Sequence, residues 1–151
     1  MSNIDVRKFQ LAQLDLIREI DRVCKELGID YYLIGGTLLG AIRHGGFIPW
    51  DTDMDIAMRR SDYEKFGQYW LERDDDKFFY QHYKTEKNHL SPHAILKIKN
   101  THIYYNKDTE KYKVKFDGLF LDIFPLDEPP AEKKLQAKQL SPPATMSQYL
   151  P

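Results

Sequence analysis

The stretch Tyr32–Met58, YLIGGTLLGAIRHGGFIPWDTDMDIAM, decides how the rest of the chain is read. Tyr31-Tyr32-Leu33-Ile34 is a short apolar run that predicts a strand. It leads into Gly35-Gly36-Thr37, where a backbone turn is expected. Thr37 is placed to cap a short helix from Leu38 to His44, and Gly45-Gly46 would end it. Pro49 falls in an extended connection. From Asp53 to Met58 acidic and apolar residues then alternate, the period of a half-buried strand. On that strand Met54 and Ile56 enter the core. Asp53 and Asp55 share the other face, joined by Asp51 if the strand reaches back that far.

Two carboxylates two positions apart on one strand face make a hard oxygen site. Mg²⁺ suits it, because that ion takes one or two protein carboxylates and completes its shell with water and substrate phosphate. An EF-hand is the sharpest rival, with Asp51, Asp53 and Asp55 at loop positions one, three and five. That loop needs Gly at its sixth position, and here Ile56 stands there, so the rival fails. The Gly35-Gly36-Thr37 turn fits the same chemistry. Glycines between a strand and a helix let backbone amides approach a phosphate, and a helix N-terminus favours an anion. Arg43 and His44 lie at the end of the following helix, where a solvated end or a local cap competes with a phosphate contact.

Residues 5 to 27 predict an amphipathic helix, with Leu14, Ile17, Ile20, Cys24 and Leu27 at three- and four-residue steps and Gly28 as its stop. Ser61 and Glu64 form a capping-box pattern and predict a helix to about Arg73. Asp74-Asp75-Asp76 reads as a turn. Strands are expected over Phe78–Lys84, Ile95–Lys99, Ile103–Tyr105 and Gly118–Phe124, with Pro125 ending the last. Asp122 interrupts that last apolar run. An ionisable group there is costly unless paired or bound to metal, so Asp122 is a third candidate ligand. After Asp127-Glu128-Pro129-Pro130 a polar helix, Ala131–Leu140, is expected, and then a loosely held tail, SPPATMSQYLP.

Composition narrows the function classes. The 151 residues suit one domain, and 42% hydrophobic with 30% charged residues reads as globular. Lys and Arg number 22 against 23 Asp and Glu, which leaves no basic footprint for nucleic acid. Cys24 is the one cysteine, so a disulfide framework is excluded and a reducing compartment is expected. No apolar run approaches the roughly 18 residues of a transmembrane helix. A cytoplasmic protein follows as the expectation, with room for peripheral contact at the inner face of a membrane. Ten tyrosines and eight phenylalanines, many between Phe78 and Phe124, favour a β-rich second half.

Together, the run Tyr32–Met58 and the later Phe120-Leu-Asp-Ile-Phe-Pro-Leu-Asp127 resemble the two motifs of the LicD family, over about residues 10 to 130. Those proteins are phosphorylcholine transferases of bacterial surface polysaccharides, related to fukutin and fukutin-related protein, within the nucleotidyltransferase superfamily. The resemblance implies an α+β, nucleotidyltransferase-like fold, a mixed sheet flanked by helices. It makes Gly35, Gly36 and Thr37 the phosphate-binding turn and Asp53 and Asp55 the metal pair. Asp122 becomes the third carboxylate, binding a second metal or activating the attacking hydroxyl. Arg43 and Lys97 are candidate phosphate contacts, with Lys99 as the alternative to Lys97. Family members commonly carry Asp where this chain has Thr52, a position expected to face away from the metal pair. They also usually continue past this point. Residues 1–130 are therefore expected to form the domain and 131–151 a partial helix and tail, in a C-terminally truncated protein.

The resemblance further implies a CDP-alcohol donor such as CDP-choline, Mg²⁺ with Mn²⁺ as the alternative ion, and a sugar or polyol hydroxyl of a glycan or glycolipid acceptor. The acceptors are of the lipopolysaccharide or teichoic acid type. Attack on the distal phosphorus would release CMP and move the phospho-alcohol. Two rivals stay open: transfer of the nucleotide itself to a small molecule, and a non-catalytic nucleotide-binding module.

Overall fold

The computed structural model describes residues 5–87, 89, 91–103 and 118–140, the last three by backbone alone. Helix α1 spans Val6–Leu27. The Asp5 side chain caps it by accepting from the Lys8 amide, and Gly28 stops it in a left-handed conformation, φ 62°. Its buried stripe is Leu16, Ile20, Val23 and Cys24, with Ile17 and Leu27 at the margin. Leu14, expected in the stripe, lies off the core. Leu16, Ile20 and Val23 are themselves spaced by four and three, and docking on the sheet selects that set over the one through Leu14.

Strand β1 is Tyr32–Leu33, and helix α2 is Gly35–His44. Strand β2 is Asp55–Arg59, followed directly by helix α3, Arg60–Leu71. Strands β3, Phe78–Gln81, and β4, Ala94–Ile98, precede β5, Phe120–Leu126, and helix α4, Lys133–Leu140. The five strands form one sheet in the order β1-β2-β5-β4-β3. β2 and β5 run parallel, and every other neighbouring pair is antiparallel. This is the expected α+β arrangement, a mixed sheet flanked by helices.

One face of the sheet carries the core. Ile56 and Met58 of β2, Leu96 of β4 and Leu121 and Ile123 of β5 are fully buried there with Leu16 and Ile20 of α1 and Phe66 of α3. Strand alternation sends the residues between them to the other face. Register places Asp55 beside Asp122, Asp122 beside Ile95, and Phe120 beside Lys97. The candidate carboxylates therefore sit on the sheet face opposite the core.

Several local expectations are corrected. Gly35 and Gly36 are the first residues of α2, not a turn before it, and Thr37 does not cap the helix: Ile34 occupies the cap position without a side-chain bond. Ser61 and Glu64 do not form a capping box either. Pairing with β5 carries β2 to Arg59, and α3 starts from the strand, which puts Ser61 inside the helix. Strand β2 begins at Asp55, so Asp53 lies just ahead of it.

Pro125 does not end β5. The Asp122 amide donates to Met54 on the β2 side, 3.0 Å, so alternation turns position 125 toward β4. The β4 pairing has already ended at Ile123, and no donor is needed there. Of the strand expected over 103–105, Ile103 lies in no strand, and the other two residues fall outside the described residues, as does the tail 141–151.

Candidate functional site

The site is assembled from three segments: the start of α2, the loop and strand over residues 51–55, and β5. The Thr37 hydroxyl oxygen accepts from the Asp55 amide at 2.8 Å, which pins the beginning of β2 to the first turn of α2. The Ile34 amide donates to the Asp55 carbonyl, 3.3 Å. Both bonds hold the backbone of a candidate ligand.

Glycine suits the left-handed backbone at 35, and a side chain at 36 would displace the Asp51 carboxylate. Gly35 has φ 54°, and a Cβ there would lie 3.3 Å from Asp55 Oδ2. A Cβ on Gly36 would come within 2.5 Å of Asp51 Oδ2. The first intrahelical bond runs from the Leu38 amide to Ile34, 3.1 Å, so the amides of Gly35, Gly36 and Thr37 belong to the first turn that lacks partners within the helix. The positive end of α2 thus meets the acidic loop directly.

The carboxylates raise one another's pKa. Asp53 is pushed up to about 6, first by its hydrogen bond to Asp51, then by burial and the charges of Asp51 and Asp55. Asp55 is raised by burial and by Asp122 and Asp51. Burial also raises Asp122, against the pull of His93 and Lys97. Such a cluster favours protons or a cation.

As the side chains stand, no three His, Cys, Asp or Glu residues among the described residues are grouped to hold a metal ion. Asp53 is engaged by Asp51, and Asp122 Oδ1 by His93 Nε2 at 3.1 Å. The chemistry of the donor set fits a hard divalent cation: Asp55 stands in the fields of Asp122 and Asp51, and Asp53 in those of Asp51 and Asp55. Among the described residues a cavity of about 290 Å³ lies elsewhere, between α3 and the end of β3, away from this cluster.

The remaining predicted residues divide. Lys97 is 7% exposed on β4, and its charge acts on Asp122, so it belongs to the site face rather than to solvent. Lys99 instead bonds the Asp75 carbonyl, 2.5 Å, and pairs with Asp74, tying down the 74–76 turn. Arg43 and His44 are exposed in the last turn of α2, about 12 Å along the helix from Gly35 at 1.5 Å per residue.

Sequence reasoning did not single out three contributors. Gln10 and Gln13 of α1 are buried, and their side-chain amides donate to four backbone carbonyls: Ile48, Asp51, Thr52 and Phe120. They clamp the acidic loop to α1 and β5. The signal was available as two glutamines three apart on the inward side of an apolar stripe. His93 is the third, and a histidine after Ser91-Pro92 carries no such signal.

Residues 28–137 match the family model described as LicD/FKTN/FKRP, nucleotidyltransferase domain. The chain belongs to that family. It is 33% identical over 139 residues to the lipopolysaccharide cholinephosphotransferase LicD of Haemophilus influenzae, covering 89% of this chain and 49% of LicD. It is 30% identical over 121 residues to the human ribitol 5-phosphate transferase FKRP, covering 66% of this chain and 24% of FKRP. A 63-residue match at 30% identity to the mouse ribitol-5-phosphate transferase FKTN covers 42% of the chain and 14% of that protein. The chain thus spans about half the length of LicD and less of the others. The matched region includes Gly35–Thr37, Asp53, Asp55 and Asp122, and the names of these three relatives describe transfer of a phosphate-bearing alcohol.

Proposed function

We propose that this chain carries the catalytic surface of a transferase that moves a phospho-alcohol from a CDP-linked donor to a hydroxyl of a glycan or glycolipid. The observation that supports it best is the register pair Asp55 and Asp122 on adjacent parallel strands, facing the glycine-bearing N-terminus of α2 across Asp51 and Asp53. An acidic surface next to a helix N-terminus suits a diphosphate accompanied by a divalent cation.

Asp53, Asp55 and Asp122 are the carboxylates that would hold Mg²⁺ or Mn²⁺, which supplies charge neutralisation for the diphosphate and the leaving group. The amides of Gly35, Gly36 and Thr37 bind phosphate oxygens, and Lys97 adds a positive charge on the same sheet face. Thr37 keeps the Asp55 backbone in place through the bond to its amide. The acceptor hydroxyl oxygen forms a bond to the distal phosphorus while the bond from that phosphorus to the bridging oxygen breaks. CMP leaves, and the hydroxyl proton passes through the acidic cluster to solvent. A cytoplasmic location with peripheral contact at the membrane is part of this reading. No helix among the described residues is long and apolar enough to cross a membrane.

The test is incubation of the chain with a panel of CDP-alcohols, Mg²⁺ and a glycan acceptor. CMP release with phospho-alcohol on the acceptor is the expected result. A nucleotidylated acceptor would move the attack to the other phosphorus, and donor binding without product would leave a binding module.

A further inference from the structure

His93 takes no part in the reaction as written, yet it touches the side chain at its centre. Its Nε2 lies 3.1 Å from Asp122 Oδ1, and both side chains are about one-sixth exposed, at 16% and 17%. Three restraints fix the imidazole. His93 immediately precedes β4, whose first residue Ala94 pairs with Ile123, so it continues the ladder opposite Phe124. Its ring lies against the Phe124 ring, with centroids 4.3 Å apart and planes 31° apart. The His93 carbonyl meets the Nε2 of buried His89 at 2.7 Å, which anchors the backbone from the other side.

A carboxylate has two oxygens and a rotatable bond. A fixed N–H donor on one oxygen removes that freedom and leaves the other oxygen for a ligand. Outer partners of this kind orient carboxylate ligands and typically change metal affinity by about 10- to 100-fold when removed.

We propose that His93 is a positioning residue: it holds Asp122 by Oδ1 so that Oδ2 is presented to the cation shared with Asp53 and Asp55. This rests on the metal reading of the proposed function. The Nε2 proton is required for that job, while the ring's contact with Phe124 serves packing. The two roles separate by substitution. His93→Gln keeps an N–H donor of similar reach. His93→Phe keeps a ring against Phe124 and has no donor, and His93→Ala removes both.

The experiment titrates Mn²⁺ alone into the full chain by calorimetry, without donor, and records thermal melting of each cation-free variant. His93→Phe and His93→Ala are expected to bind Mn²⁺ about 10- to 100-fold more weakly, and His93→Gln within about 3-fold of the parent. A purely structural residue would lower the melting temperature and leave the Mn²⁺ affinity of the folded chain unchanged. If His93→Ala does not fold, His93→Phe carries the comparison. Wild-type affinity in a donor-free variant overturns the inference and leaves the proposed function standing. Failure of the parent chain to bind Mn²⁺ overturns both.

Discussion

The two faces of β2 and β5 are built from the alternating positions of the same two strands and behave as opposites. Toward α1 and α3, Ile56, Met58, Leu121 and Ile123 are fully buried among apolar neighbours. Toward the other side, Asp55 and Asp122 stand as register partners with raised pKa values. A shift of one residue in the pairing would exchange the two sets. The apolar face therefore fixes the register, and the register delivers the carboxylates to one another. Apolar burial is concentrated on one side of the sheet and the carboxylates of the proposed reaction lie on the other.

Four substitutions and one change of pH test this contrast. Asp53→Asn and Asp55→Asn should each lower turnover of a CDP-linked donor by about 1000-fold, beyond the 10- to 100-fold typical of supporting groups. The cation-free chain should melt no lower, because each change relieves repulsion. Turnover at the parent rate would remove these residues from the reaction. On the apolar face, Leu121→Ala should cost about 3 kcal/mol in urea unfolding while the Mn²⁺ affinity of the folded chain stays put.

Gln13→Ala should fall between the two faces. Loss of its bonds to Thr52 and Phe120 leaves part-buried carbonyls short of a donor, at a cost of roughly 1–2 kcal/mol. Part of that is offset because Gln13 Oε1 is itself buried without a partner. Unlike Leu121→Ala, this change should also weaken Mn²⁺ binding, since the loop it releases carries Asp51 and Asp53. Equal loss of stability with intact Mn²⁺ affinity would reduce Gln13 to a core residue.

The smallest effect is on pH. Asp53 is pushed from its ordinary 3.8 to about 6 in the folded chain, and Asp55 and Asp122 are raised as well. The folded state therefore holds protons more tightly than the unfolded state across this window. Stability from these groups is present below about pH 4 and is lost as pH rises through about 6. Without divalent cation, melting temperature should rise modestly between pH 7 and pH 5. Saturating Mg²⁺ should flatten that dependence, because a cation replaces the proton.

Much of the carboxylate face was legible in advance because its signals are local. Period-two alternation over Asp53–Met58 and the glycine pair after an apolar run both act within a few residues. Lys97 was harder, since alternate strand lysines usually face water. Here register with Phe120 and Phe79 places it between two strands. Thr37 was legible as a hydrogen-bonding residue, but not its partner: the Asp55 amide lies 18 residues away and outcompetes the helix cap. The capping-box pattern at Ser61 failed for a similar reason, because β2 pairing overruled a local preference.

By itself, then, the sequence determined the family, the α+β class and the pairing of an acidic segment with two glycines, since each is written in spacing along a few residues. Only the tertiary structure decided which groups complete that surface. Gln13 reaches a carbonyl 107 residues away, and His93 reaches an aspartate 29 residues away. Those contacts depend on β5 entering the sheet between β2 and β4, an order that no local pattern encodes.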